Sequence, residues 1–191
     1  MGEPLLKKLR EKEDDELYTI SIHEAGHALV SALLGLTIMD IQVTEKGGSV
    51  QNKINSAYSI EKGIMNCLAG TIAEYVRFAG PICFGSRSLF CSSGDISTLS
   101  RVMKWSKNKN KKRYLQRLMM RTWEMLVSHE HLLYELADEL YEKRTLTGKE
   151  LSRMIKDAFD YDRSKIFDWY ANEILEYQEQ TPSAEAESVL N

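Results

Sequence analysis

Apolar residues recur at three- and four-residue spacing through most of this chain and alternate in only one short stretch. Ile20, His23, His27, Val30, Ser31 and Leu34 fall on one face of a helix predicted from about Asp15 to Leu34. Asp14 or Asp15 can cap its start and Gly35 can end it. Thr37 to Thr44 is rich in β-branched residues and partly alternating. Glu45-Lys46-Gly47-Gly48 supplies turn chemistry before Ser49-Val50-Gln51, so a β-hairpin is expected here. Helical spacing returns from about Ser59 to Ala79, carried by Ile60, Ile64, Cys67, Leu68, Ile72, Ala73 and Val76, and Gly80-Pro81 stops it. Residues 81–93 read as a loop. Asp95 opens a further helix with Ile96, Leu99, Val102 and Met103 along one side. A break is expected over Lys107 to Asn110, then one long helix from about Lys111 to Glu142. Thr147 is expected to cap a helix to about Phe159, and a last helical segment to extend to about Tyr177.

The fold class this implies is mainly α with a small β-hairpin, an α+β domain over residues 15–177. A charged segment, 1–14, precedes it, and a polar acidic tail, 178–191, is expected to be disordered. With 191 residues the chain can bury a core without disulfides or a structural metal. Cys67, Cys83 and Cys91 are odd in number and form no C-x-x-C pair, which fits reduced thiols rather than a disulfide framework. Neither a signal-peptide core nor a run of about 18 apolar residues is present. A soluble, cytoplasmic protein is expected. The net charge of −3 names no partner.

The candidate chemistry lies in the first helix, at His23-Glu24-Ala25-Gly26-His27. Residues four apart share a helix face, so both imidazoles can reach one Zn²⁺ at about 2.0–2.1 Å. Glu24 is offset around the helix and can reach the metal-bound water without ligating the metal. Zinc lowers the pKa of that water towards about 7, and Glu24 takes its proton as general base. A glycine inside a helix costs about 1 kcal/mol relative to alanine, so Gly26 calls for close approach by a backbone or a substrate. The competing readings are two buried histidines hydrogen-bonded to neighbours, and a capping box Ser21-x-x-Glu24 that would start the helix at Ser21.

Zinc needs a third protein ligand. The extended metzincin motif would require glycine at position 30 and histidine at 33, where this chain has Val30 and Leu33. His129 and His131, two apart in a charged stretch, read as solvated surface. Glu74, in Ala69-Gly70-Thr71-Ile72-Ala73-Glu74, and Asp95, in Ser92-Ser93-Gly94-Asp95-Ile96, both remain open, and Asp95 could equally be an N-cap.

Ile22-His23-Glu24-Ala25-Gly26-His27-Ala28-Leu29-Val30 resembles the zinc helix of the peptidase domain of FtsH-type metalloproteases. Ile38 to Val50 is similar to the strand-turn-strand that follows it. Leu68-Ala69-Gly70-Thr71-Ile72-Ala73-Glu74-Tyr75-Val76 resembles that family's glycine-containing helix. Ser93-Gly94-Asp95-Ile96 occupies the place of its aspartate zinc ligand, and Leu132 to Leu151 resembles its C-terminal helices. The resemblance covers about residues 15–160. It implies a helical zincin-like domain with one Zn²⁺ per chain held by His23, His27 and Asp95, Glu24 as base, and Glu74 in a supporting role. It also implies a homo-oligomeric ring.

The chain departs from the family in lacking a G-x-x-x-x-G-K-[ST] phosphate loop and a membrane span. It looks like the peptidase domain standing alone, acting without ATP or a membrane. The expected activity is an ATP-independent zinc endopeptidase acting on unfolded or extended polypeptide. Such a substrate would add to the hairpin edge at Gly47, Gly48, Ser49 and Val50 by strand augmentation. The alternative is a catalytically silent binding or regulatory module of the same fold. The basic run over residues 101–121, with Trp105 and Tyr114, raises nucleic-acid binding, but the net charge is negative and no nucleic-acid motif accompanies it. A solvated helix face is the simpler reading.

Overall fold

The computed structural model describes residues 15–53, 58–77 and 93–158, all within one compact unit. The predicted segments at 1–14 and 159–191, most of the loop at 81–93, and Cys83 and Cys91 lie outside the described residues. Among those described, six helices and three strands follow in the order α1 (Glu16–Leu33), β1 (Thr37–Thr44), β2 (Gly47–Lys53), α2 (Ile60–Arg77), α3 (Ser93–Trp105), α4 (Lys111–Ser128), α5 (Glu130–Lys143), β3 (Thr145–Thr147) and α6 (Gly148–Ala158). The fold is mainly helical with one small antiparallel sheet, as the hydrophobic pattern predicts.

Helix α1 starts where Asp15 accepts a hydrogen bond from the Leu17 amide at 2.9 Å. Ser21 lies inside the helix and donates to the Leu17 carbonyl at 2.9 Å, so the capping-box reading at Ser21 does not hold. The helix ends at Gly35, whose φ of 71° is the left-handed conformation a glycine stop provides. The pattern predicts one buried face, yet every residue from Ser21 to Ser31 is buried. Helix α1 is the central rod, packed by α2, α5 and both hairpin strands. Small residues make this fit: a Cβ on Gly26 would stand 2.5 Å from the Ala73 Cβ and 2.8 Å from the Ala69 carbonyl oxygen. The close approach that Gly26 calls for is therefore made by α2.

The hairpin pairs Ile41 with Val50, Gln42 with Ser49 and Val43 with Gly48, with an irregularity between Ile38 and Asp40. Ile41 and Val43 face the core while Gln42 and Thr44 are exposed. The expected two-stranded hairpin is in fact part of a three-stranded sheet of order β2-β1-β3. Thr145–Thr147 pairs antiparallel to Asp40–Gln42 and buries Leu146. Thr147 does cap α6: its hydroxyl accepts from the Glu150 amide at 3.3 Å, and Glu150 accepts from the Thr147 amide at 2.8 Å.

The single long helix predicted over 111–142 is two helices, broken at His129, whose φ is −125°. No glycine or proline marks the break. Helix α4 packs mainly on α2 and α5 mainly on α1, so the chain must change direction to satisfy two partners. His129 sits at this corner, its Nδ1–H donating to the Met125 carbonyl at 2.8 Å, and His131 is exposed.

Candidate metal centre

His23 and His27 project from one face of α1 towards the crossing with α2, and both are buried, at 8% and 7% exposure. The His27 Nδ1–H donates to the Asn66 carbonyl oxygen at 2.7 Å. A carbonyl can only accept, so Nδ1 carries a proton, and in the neutral imidazole this leaves the lone pair on Nε2. His23 Nδ1 lies 2.5 Å from Glu74 Oε1, and a proton held there leaves His23 Nε2 as the second lone pair.

These two nitrogens lie 3.0 Å apart. Asp95 Oδ2, from the first turn of α3, lies 3.1 Å from His23 Nε2 and 3.3 Å from His27 Nε2. Three acceptors thus converge on one point from two helices. Donors on a tetrahedral ion with bonds of about 2.0–2.1 Å stand about 3.3–3.4 Å apart, so the triangle has the dimensions of a metal-binding triad. His23, His27 and Asp95 form a possible metal site. Asp95 therefore faces the histidines rather than serving only as a helix cap. Glu74 approaches the opposite nitrogen of His23 and supports that ring instead of competing for the third ligand position.

Burial works against charging His23, but the hydrogen bonds it donates to Asp95 and Glu74 and the charges of Glu74 and Glu24 outweigh it, and the imidazole is raised to about 9. Metal and proton compete for that nitrogen, so binding expels the proton. Burial also pushes the Glu24 carboxyl up, against the pull of His27 and His23, with a smaller push from Asp95.

A cleft of about 290 Å³ opens over the triad, lined by Glu24, Gly48, Ser49 and Val50 on one side and by Asn66, Cys67, Gly94 and Thr98 on the other. Of the four predicted hairpin residues, Gly48, Ser49 and Val50 reach this cleft and Gly47 does not line it. Among the described residues strand β2 is one edge of the sheet, and a Cβ on Gly48 would overlap the Glu24 side chain. A larger depression of about 590 Å³ on α5 and α6 shares none of these residues.

Sequence reasoning missed two contributors. Gly70 lies against the His23 ring, where any Cβ would collide with it. A glycine inside α2 is the signal that could have revealed it. Asn66 carries no such signal. Its carbonyl orients His27, and its side chain accepts from Ser31 at 2.8 Å, while Ser31 accepts from Asn52 of β2 at 3.1 Å. Among the described residues no helix is long and apolar enough to cross a membrane. No protein-family model matches the chain, and no curated protein matches it.

Proposed function

We propose that this protein is a zinc metallopeptidase that hydrolyses extended polypeptide without ATP. One observation carries the reading. Three lone-pair donors, His23 Nε2, His27 Nε2 and Asp95 Oδ2, converge within 3.0–3.3 Å of one another in a cleft that also holds the Glu24 carboxylate and borders an edge strand. Two imidazoles and a carboxylate with room left for a further ligand suit catalytic zinc. The resemblance of residues 15–160 to FtsH-type peptidases points the same way.

The roles follow from position. His23, His27 and Asp95 would hold a zinc ion, which would supply Lewis acidity towards water and the scissile carbonyl. Glu24 receives the proton from the attacking water as its oxygen bonds to the carbonyl carbon, and passes it to the amide nitrogen as the C–N bond breaks. Glu74 holds the His23 ring through Nδ1, and the Asn66 carbonyl holds His27. The β2 edge of the described sheet binds the substrate backbone as an added strand, beside Gly48, Ser49 and Val50.

The test is zinc content together with hydrolysis of an unfolded, casein-like substrate. The wild type is expected to bind one zinc and to cleave. Glu24→Gln is expected to keep the zinc and lose at least about 100-fold in rate. If the wild type and Glu24→Gln bind zinc and are equally inert, the chain is the catalytically silent module instead.

A further inference from the structure

From Ile96 to Trp123 the chain carries nine of its 25 lysines and arginines and no aspartate or glutamate. Tertiary structure sorts them. Arg117 pairs with Glu61 at 3.1 Å and Arg121 is buried. The other seven are exposed: Arg101 and Lys104 on α3, Lys107 and Lys109 in the connection, and Lys111, Lys112 and Arg113 in the first turn of α4. Trp105 stands among them at 62% exposure. The three cations opening α4 sit at the positive end of its dipole, where acidic residues would be favoured and none is present. Local folding does not call for this placement. It concentrates positive potential at one corner, and a ligand of opposite charge would complement it.

The corner is tied to the metal centre by α3. Asp95 of the possible metal triad sits in the helix's first turn and Trp105 is its last residue. Ten residues at about 1.5 Å per residue separate them by about 15 Å. An extended chain covers that distance in about four or five residues at about 3.3 Å each. We propose that the α3–α4 corner is a docking surface for acidic segments of unfolded polypeptide, which it holds while the neighbouring part of the same chain reaches the cleft. The inference rests on the peptidase reading and names its substrate class. Carboxylates would pair with Lys111, Lys112 and Arg113, and an apolar or aromatic neighbour would lie on Trp105. The exposed apolar side chains of α3 and α4, Ile96, Trp105, Met120 and Val127, are spaced out along the chain among charged or polar residues, which makes a poor membrane-insertion surface. Nucleic acid is the competing polyanion.

Binding is measured by fluorescence anisotropy with the full zinc-loaded chain carrying Glu24→Gln, so that peptides stay intact. Two unstructured peptides of equal length share one apolar cleavable segment. One carries a Glu block about five residues from it, the other a Lys block. The acidic peptide is expected to bind at least about tenfold tighter at low salt, with the gap nearly gone at high salt. Combined Lys111→Glu, Lys112→Glu and Arg113→Glu should abolish the gap while zinc content and helicity persist, since acidic residues suit a helix N-terminus. With the Glu24 side chain restored, the triple variant should show a raised KM for the acidic peptide and an unchanged kcat. A gap that survives the triple change overturns the proposal. So does tighter binding, at equal salt, to a single-stranded oligonucleotide or to phosphatidylserine vesicles. If the wild type cleaves neither peptide, the peptidase reading fails, and the anisotropy comparison still decides the docking surface.

Discussion

Gly70 lies directly against the imidazole of His23, so that a Cβ at this position would fall 2.5 Å from the ring's Cδ2 and 2.6 Å from its Cε1. The ring is clamped by this glycine and, at Nδ1, by the Glu74 carboxylate, and its Nε2 faces His27 and Asp95. Gly70→Ala is expected to turn the ring and weaken zinc binding by about 10–100-fold, the range for disturbed ligand support. Competition with a chromophoric chelator measures it, and an unchanged affinity would show that the clamp is unimportant.

Gly48 bears on Glu24 in the same way, across from β2. A Cβ there would stand 2.7 Å from Glu24 Cδ and 2.8 Å from the Gln42 carbonyl oxygen. Gly48→Ala is expected to displace the carboxylate while leaving the three ligands in place. A misplacement of about 1 Å can cost about 100-fold in rate. The variant should therefore hold a full complement of zinc and show kcat reduced at least tenfold, roughly. Loss of zinc instead would place the damage in the hairpin as a whole.

Ser31 is fully buried and joins Asn52 of β2 to Asn66 of α2 beneath the cleft. Ser31→Ala leaves a donor on Asn52 and an acceptor on Asn66 without that partner, at about 1–3 kcal/mol. A fall in Tm of several degrees is expected by calorimetry, since about 1 kcal/mol shifts a chain of this size by about 2–4 °C. A shift within 1 °C, roughly, would show that the brace contributes little.

Acid stability should depend on the start of α1. Asp15 accepts from the Tyr141 hydroxyl at 2.5 Å, and this bond, aided by the Leu17 and Tyr18 amides and opposed by burial, holds its carboxyl below the ordinary 3.8. The folded state then binds the Asp15 proton less readily than the unfolded chain does. The contribution is complete above about pH 4 and is lost as pH falls through the lowered value. Tyr141→Phe should lower Tm near neutrality by about 1–2 °C, allowing for solvent screening. The difference from wild type should shrink below about pH 4, and a constant gap across that range would contradict the assignment.

Periodicity in the sequence determined most of the local structure. The Asp15 cap, the Gly35 stop, the hairpin and the Thr147 cap are each set by a few adjacent residues and were legible as such. The placement of His23 and His27 on one face of α1 is legible for the same reason, since helix geometry alone puts residues four apart side by side. Tertiary structure decided everything that needed a second element. The break at His129 comes from α4 and α5 serving different partners. Strand β3 forms because Leu146 can be buried against β1. Asp95 and Glu74 could each have been the third ligand on local grounds, and only the packing of α2 on α1 and of α3 on α2 puts Asp95 on the Nε2 side of His23 and Glu74 on the Nδ1 side. A carboxylate's role depends on which nitrogen it meets, and nothing within its own helix records that.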